Sequence, residues 1–212
     1  MKKLLFTLLT LLLTLLLQAQ PQQQVGVARQ QAMMEQIGKA AAGIRSMECD
    51  FTQVKTMSFL NDRLTSQGRM LFSAEGKLRW EYTKPYSYTF VLNGQKVAMR
   101  SGKGSQTVDL RQSRLFQGIA QVMMNSVTGR GLGALDGFSC TMYEKDREWI
   151  AMLTPQKKDM KRLFKSICLH FSGKKPMVTQ VEMTEPGGDA TVISLKNVKT
   201  NCPIDEKMFA AQ

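Results

Sequence analysis

Hydrophobic and polar positions alternate with a period of two over residues 66–94, SQGRMLFSAEGKLRWEYTKPYSYTFVLNG. Met70 and Phe72 fall on one side and Arg69 on the other. Leu78, Trp80 and Tyr82 share a side opposite Lys77, Arg79 and Glu81, and Tyr86, Tyr88, Phe90 and Leu92 form a third row. Side chains two apart on a strand point the same way, so three adjacent antiparallel strands stack these large side chains on one apolar surface. Ser73-Ala74-Glu75-Gly76, Lys84-Pro85 and Asn93-Gly94 mark the turns, and Asn-Gly is a strong hairpin signal.

A helical period replaces the alternation in two places. Over residues 27–47, Met33, Met34, Ile37, Ala40, Ala41 and Ile44 recur at three- and four-residue spacing, which predicts an amphipathic helix lying against a sheet. Over residues 112–127, Leu115, Phe116, Ile119, Val122, Met123 and Val127 share one helical face. The tail at 128–137 holds four glycines, which predicts a mobile tether and makes this second helix a candidate lid. Further strands are expected at 48–57, 63–72, 96–100, 106–110, 138–144, 149–153, 163–171, 177–184 and 191–197, while residues 21–24 read as a polar leader. The expected fold is mainly β with helices. It is an incomplete antiparallel β-barrel of about eleven strands, with an α-helical lid over the concave apolar face.

The N-terminus changes the picture of where the chain works. Lys2 and Lys3 precede an apolar run over 4–17, broken only by Thr7, Thr10 and Thr14, and Leu17-Gln18-Ala19 follows. That run is shorter than the ~20 residues that span a bilayer, so residues 1–19 are expected to be a signal peptide cleaved after Ala19, against the alternative of an uncleaved anchor. Residues 20–212 then form a single exported domain, expected to be a monomer. Losing Lys2 and Lys3 lowers the formal charge from +12 to +10. Such a surface suits anionic headgroups or acidic partners. Export, and the scattered placement of the basic residues outside the run at 157–165, argue against nucleic acid. Cys49, Cys140, Cys168 and Cys202 allow two disulfides or four free thiols, and none forms a CxxC pair. The 15 methionines suit either an ordinary core or an apolar surface that accepts varied shapes.

No catalytic constellation emerges. His170 is the single histidine, on a strand face with Cys168 and Ser166, and no nucleophile-elbow pattern accompanies it. One histidine with scattered carboxylates makes no metal cage, and Glu81 and Glu182 fall on the side away from the apolar surface, so neither cofactor nor metal is expected. Binding remains: a curved sheet lined by aromatic, Leu and Met side chains, Trp149 among them, under a helical cover. Such a pocket suits an acyl chain.

The chain resembles the LolA family of periplasmic lipoprotein carriers. The resemblance rests on the N-terminal amphipathic helix, Asp50-Phe51-Thr52-Gln53, Gln67-Gly68, Leu78-Arg79-Trp80-Glu81-Tyr82, Pro85, Val91-Leu92-Asn93-Gly94, and Asn197-Val198 with Asn201 and residues 204–209. It implies a shuttle that takes acylated lipoproteins from an inner-membrane exporter, shields their chains in the periplasm, and delivers them to an outer-membrane receptor. On that likeness Leu78 and Trp80 line the cavity, and Leu115, Phe116, Ile119 and Met123 form the lid side. Well-studied members latch the lid with an arginine in the loop before the tryptophan strand. The matching position here is Ala74, and the chain stops at Gln212 without the family's C-terminal extension. These departures keep open a carrier of another lipid, such as a glycolipid or pigment ester, or a lipoprotein-sensing module.

Overall fold

A computed structural model describes residues 22–59, 62–112 and 114–210, without the side chains of residues 114–116 and 134. The leader expected over 1–19, and the side chains of Leu115 and Phe116, lie outside the described residues.

The main meander of the sheet starts near its middle. After the two-residue strand β1 (Gln23–Gln24) and helix α1 (Val27–Ala42), β2 (Ser46–Met57) starts a meander through β3 (Asp62–Ser73), β4 (Lys77–Lys84), β5 (Tyr88–Asn93), β6 (Lys96–Ser101) and β7 (Gly104–Asp109). Helix α2 (Arg114–Thr128) then leads to β8 (Phe138–Lys145) on the far side. From there β9 (Glu148–Pro155), the short helix α3 (Lys158–Leu163), β10 (Ser166–Ser172), β11 (Val178–Thr184) and β12 (Ala190–Thr200) return to the middle. The result is one open antiparallel sheet of 12 strands in the order β1-β8-β9-β10-β11-β12-β2-β3-β4-β5-β6-β7. The α2 connection joins β7, at one edge, to β8, beside the other edge. It must therefore cross a face of the sheet, and it does so in contact with β11.

That face is apolar because the strands alternate toward it. Phe51, Met70, Phe72, Leu78, Trp80, Leu169, Phe171 and Ile193 join Met33 and Ile37 of α1 and Val122 and Val127 of α2 in one buried cluster. A smaller cluster on the opposite face holds Leu71 and Val91 under Phe209, so the C-terminal turn Glu206–Phe209 acts as a strap. Asn93 Nδ2 donates to Phe209 O at 3.1 Å, and Arg79 Nη1 to Met208 O at 3.3 Å.

Three expectations are corrected. Helix α1 ends at Ala42 rather than 47, because Gly43 closes it and Ser46 and Met47 are taken by β2, where Ser46 faces Ser73 and Met47 faces Thr200. Asn201 fixes this corner: its Nδ2 donates to Gly43 O at 3.0 Å and its Oδ1 accepts from Arg45 N at 2.8 Å. Residues 163–165 do not belong to β10; helix α3 precedes it, with Met160 buried. Residues 23–24 are not a free leader, since they pair with Tyr143 and Glu144 of β8.

Candidate functional site

Strands β4, β5, β11 and β12 and helix α2 leave a cavity of about 260 Å³ between them. Its wall on one side is aromatic: Trp80, Tyr82, Tyr88 and Phe90. The other side is aliphatic, with Val181, Met183 and Ile193, and α2 roofs it with Ile119, Val122, Met123 and Val127. The polar groups are few. Gln53, Ser126 and the tyrosine hydroxyls supply them, and Tyr82 donates its hydroxyl hydrogen bond to Gln53 Oε1 at 2.8 Å. Two larger clefts outside α2, of about 740 and 540 Å³, carry amide and charged linings. The small cavity is therefore the one suited to hydrocarbon.

The aromatic floor is built by close stacking. The rings of Phe51 and Trp80 lie 4.4 Å apart, and Phe51 meets Tyr82 edge-on at 5.2 Å. Gly68 of β3 makes room for Phe51 where the β3–β4 register slips between Gln67 and Gly68. Burial raises the Tyr82 hydroxyl pKa to about 12, with the neighbouring Tyr86 adding to the effect and the Gln53 hydrogen bond opposing it. Burial also raises the thiols of Cys49, to about 12, and Cys140, to about 11. All four cysteines are free thiols. A phenol whose folded pKa exceeds the unfolded value of about 10 contributes stability that is whole below pH 10 and drains as pH climbs toward 12. Melting temperature should therefore fall from about pH 9, where the thiols begin, and Tyr82→Phe should flatten the part above pH 10, worth about 2 kcal/mol. An unchanged slope in that variant would remove Tyr82 from the account.

Of the residues expected to line the site, Trp80, Tyr82, Tyr88, Phe90, Ile119 and Met123 meet at the cavity. Met70 and Leu78 are buried in the core beneath it. Phe72 and Leu92 line the 540 Å³ cleft instead. Tyr86, 45% exposed, lies outside β5 and leans on Tyr82 at 5.7 Å between ring centres. Trp149 packs near α1, donating to Glu144 Oε1 at 3.1 Å under Arg29. Sequence reasoning missed the β11–β12 wall and Phe164. Their alternation was visible, but only the β12–β2 pairing brings them opposite Trp80. His170 sits on the other face of the sheet, 3.2 Å from Glu148 and 3.3 Å from Glu182.

The glycine-containing tether after α2 is pinned. Gly129 packs so tightly that a Cβ there would come within 2.6 Å of Phe171 and 2.9 Å of Ile37. Arg130 Nη2 donates to Ala41 O at 3.1 Å and to Ile44 O at 3.3 Å, clasping the end of α1. A cation at a helix C-terminus, bonded to a carbonyl of its last turn, is favourable on both counts. Arg130→Ala should raise the opening of α2 about tenfold, read as faster hydrogen exchange of its amides. Unchanged exchange would mean that the clasp holds nothing.

Residues 42–212 match the family described as outer membrane lipoprotein carrier protein LolA. The chain belongs to the LolA family. Among relatives of this LolA-family chain, an outer-membrane lipoprotein carrier protein from Methylococcus capsulatus is 28% identical over 170 residues, covering 78% of this chain and 76% of that one. One from Chromobacterium violaceum is 26% identical over 184 residues, covering 85% and 84%. In fold it is similar to an uncharacterized conserved protein from Thermus thermophilus, with a TM-score of 0.53 at 9% identity, covering 85% and 92%. The family is one of carriers, not of enzymes.

Proposed function

We propose that this chain shields the acyl chains of lipoproteins in the cavity beneath α2 and carries them across the periplasm from the inner to the outer membrane. The observation that carries the reading is a cavity with aromatic, aliphatic and helical walls in a chain of the carrier family. Each methylene moved from water into such a lining gains about 0.8 kcal/mol, so even part of one chain supplies useful affinity. At about 260 Å³ the cavity falls below the ~300–1,000 Å³ of ordinary ligand pockets. Several chains therefore enter only if α2 moves away from β11, against the Arg130 clasp. Residues 1–19 act as the cleaved export signal, and an inner-membrane exporter and an outer-membrane receptor are the partners at either end.

Native mass spectrometry of protein taken from the periplasm of its own host tests this. A complex with an acylated lipoprotein is expected, and it should vanish when the lipid-bearing cysteine of that cargo is replaced. Complexes holding only a glycolipid or a pigment ester would overturn the lipoprotein assignment while keeping the cavity.

A further inference from the structure

The ridge of α2 that faces away from the cavity is a row of amides. Gln117, Gln121 and Asn125 follow one another at four-residue intervals, and all three line both outer clefts, one on each side of the helix. Gln117 and Gln121 are exposed and Asn125 is half-buried. Gln121 Nε2 donates to Asn125 Oδ1 at 3.0 Å, which uses one polar end of each amide and leaves the Gln121 oxygen and the Asn125 NH2 to other partners.

The larger cleft adjoins the acyl cavity. Val122 lines both, and Met160 of α3 lines the cleft while Phe164, just after that helix, lines the cavity. These residues form the partition between the two spaces, and it is closed where Gly118 of α2 packs on Met160, a Cβ there coming within 2.9 Å of Met160 Cε. The movement of α2 that admits a lipid lifts it off this contact, and whatever is attached to the lipid then emerges beside the amide ridge.

We propose that this ridge binds the first residues of the cargo polypeptide, in extended form, next to the acylated residue; the inference rests on the carrier reading above. Three physical matches support it. A side-chain amide offers both a donor and an acceptor, the same pair that a peptide group presents. Four residues of α-helix advance about 6 Å, close to the roughly 6.6 Å that two residues of extended chain advance, so successive amides can meet alternate peptide groups. The row is uncharged and reads backbone, which suits a carrier whose cargoes differ in sequence.

Calorimetric titration with two synthetic probes tests the proposal. One is a tripalmitoylated cysteine amide; the other is the same group extended by four uncharged residues. The wild-type chain should bind the extended probe about tenfold more tightly, the effect of one or two net hydrogen bonds. Gln117→Ala/Gln121→Ala keeps good helix formers on an exposed ridge. It should erase that gain while leaving affinity for the bare lipidated cysteine unchanged. Equal affinity of the wild type for both probes, or a gain that survives in the variant, overturns the ridge alone. Failure of the wild type to bind either probe overturns the carrier reading and the ridge together.

Discussion

Gly68→Ala should be the most damaging single-methyl change in the described structure. A Cβ at this position would lie 1.9 Å from Glu81 O and 2.5 and 2.7 Å from atoms of the Phe51 ring. Neither neighbour yields easily. The carbonyl belongs to the β3–β4 ladder at the register slip, and the ring is 2% exposed and stacked on Trp80. Relief requires parting two central strands or driving Phe51 into the cavity floor. The expected cost is about 4 kcal/mol, at the top of the range for point substitutions. In a domain of this size that lowers the melting temperature by roughly 10 °C. A melting temperature within about 2 °C of wild type would show that the strands part freely, and the account of the aromatic floor would fail.

Phe90→Asp and Met123→Asp should each weaken acyl-chain binding about fiftyfold without unfolding the chain. The two side chains form opposite walls of the cavity, one on β5 and one on α2, and both are only half-buried. A carboxylate there remains hydrated and brings water where methylenes would pack. Loss of contact with about three methylenes weakens a fluorescent palmitate analogue about fiftyfold. Leu64→Asp, at a 41% exposed position on β3, is the control and should bind as wild type does. Trp80 is a poorer test, since at 6% exposure a charge there attacks the fold as well as the ligand. Normal binding by both wall variants, with unchanged melting, would contradict the cavity assignment.

The architecture was legible where side-chain period alone decides it. The rows Leu78-Trp80-Tyr82 and Tyr88-Phe90-Leu92 do pair across β4 and β5, with Trp80 opposite Phe90 and Leu78 opposite Leu92. The second helix does cross the apolar face. What failed depended on contacts far along the chain. Gln23 and Gln24 carry no hydrophobic signal, and they form a strand only because β8 presents an open edge. Residues 44–47 keep a helical pattern, yet β3 and β12 claim two of them. The segment at 128–137 reads as loose from its glycines. In the fold, Gly129 instead permits close approach to Phe171, and Arg130 binds α1. The candidate site was half legible for the same reason. Aromatic alternation exposed the β4–β5 wall, whereas Val181, Met183 and Ile193 join it only through the long return from β8 to β12. Trp149 lies near α1 instead, because the alternation within β9 does not reveal which end of a 12-stranded sheet that strand occupies.

Photolabelling with a diazirine-bearing palmitate, followed by peptide mass mapping, tests most directly the proposal that acyl chains bind beneath α2. The label should attach to Phe90, Met123, Met183 or Ile193, the residues that enclose the space under α2. Attachment at Tyr143 or His170, on the reverse of the sheet, with none under the helix, would contradict it.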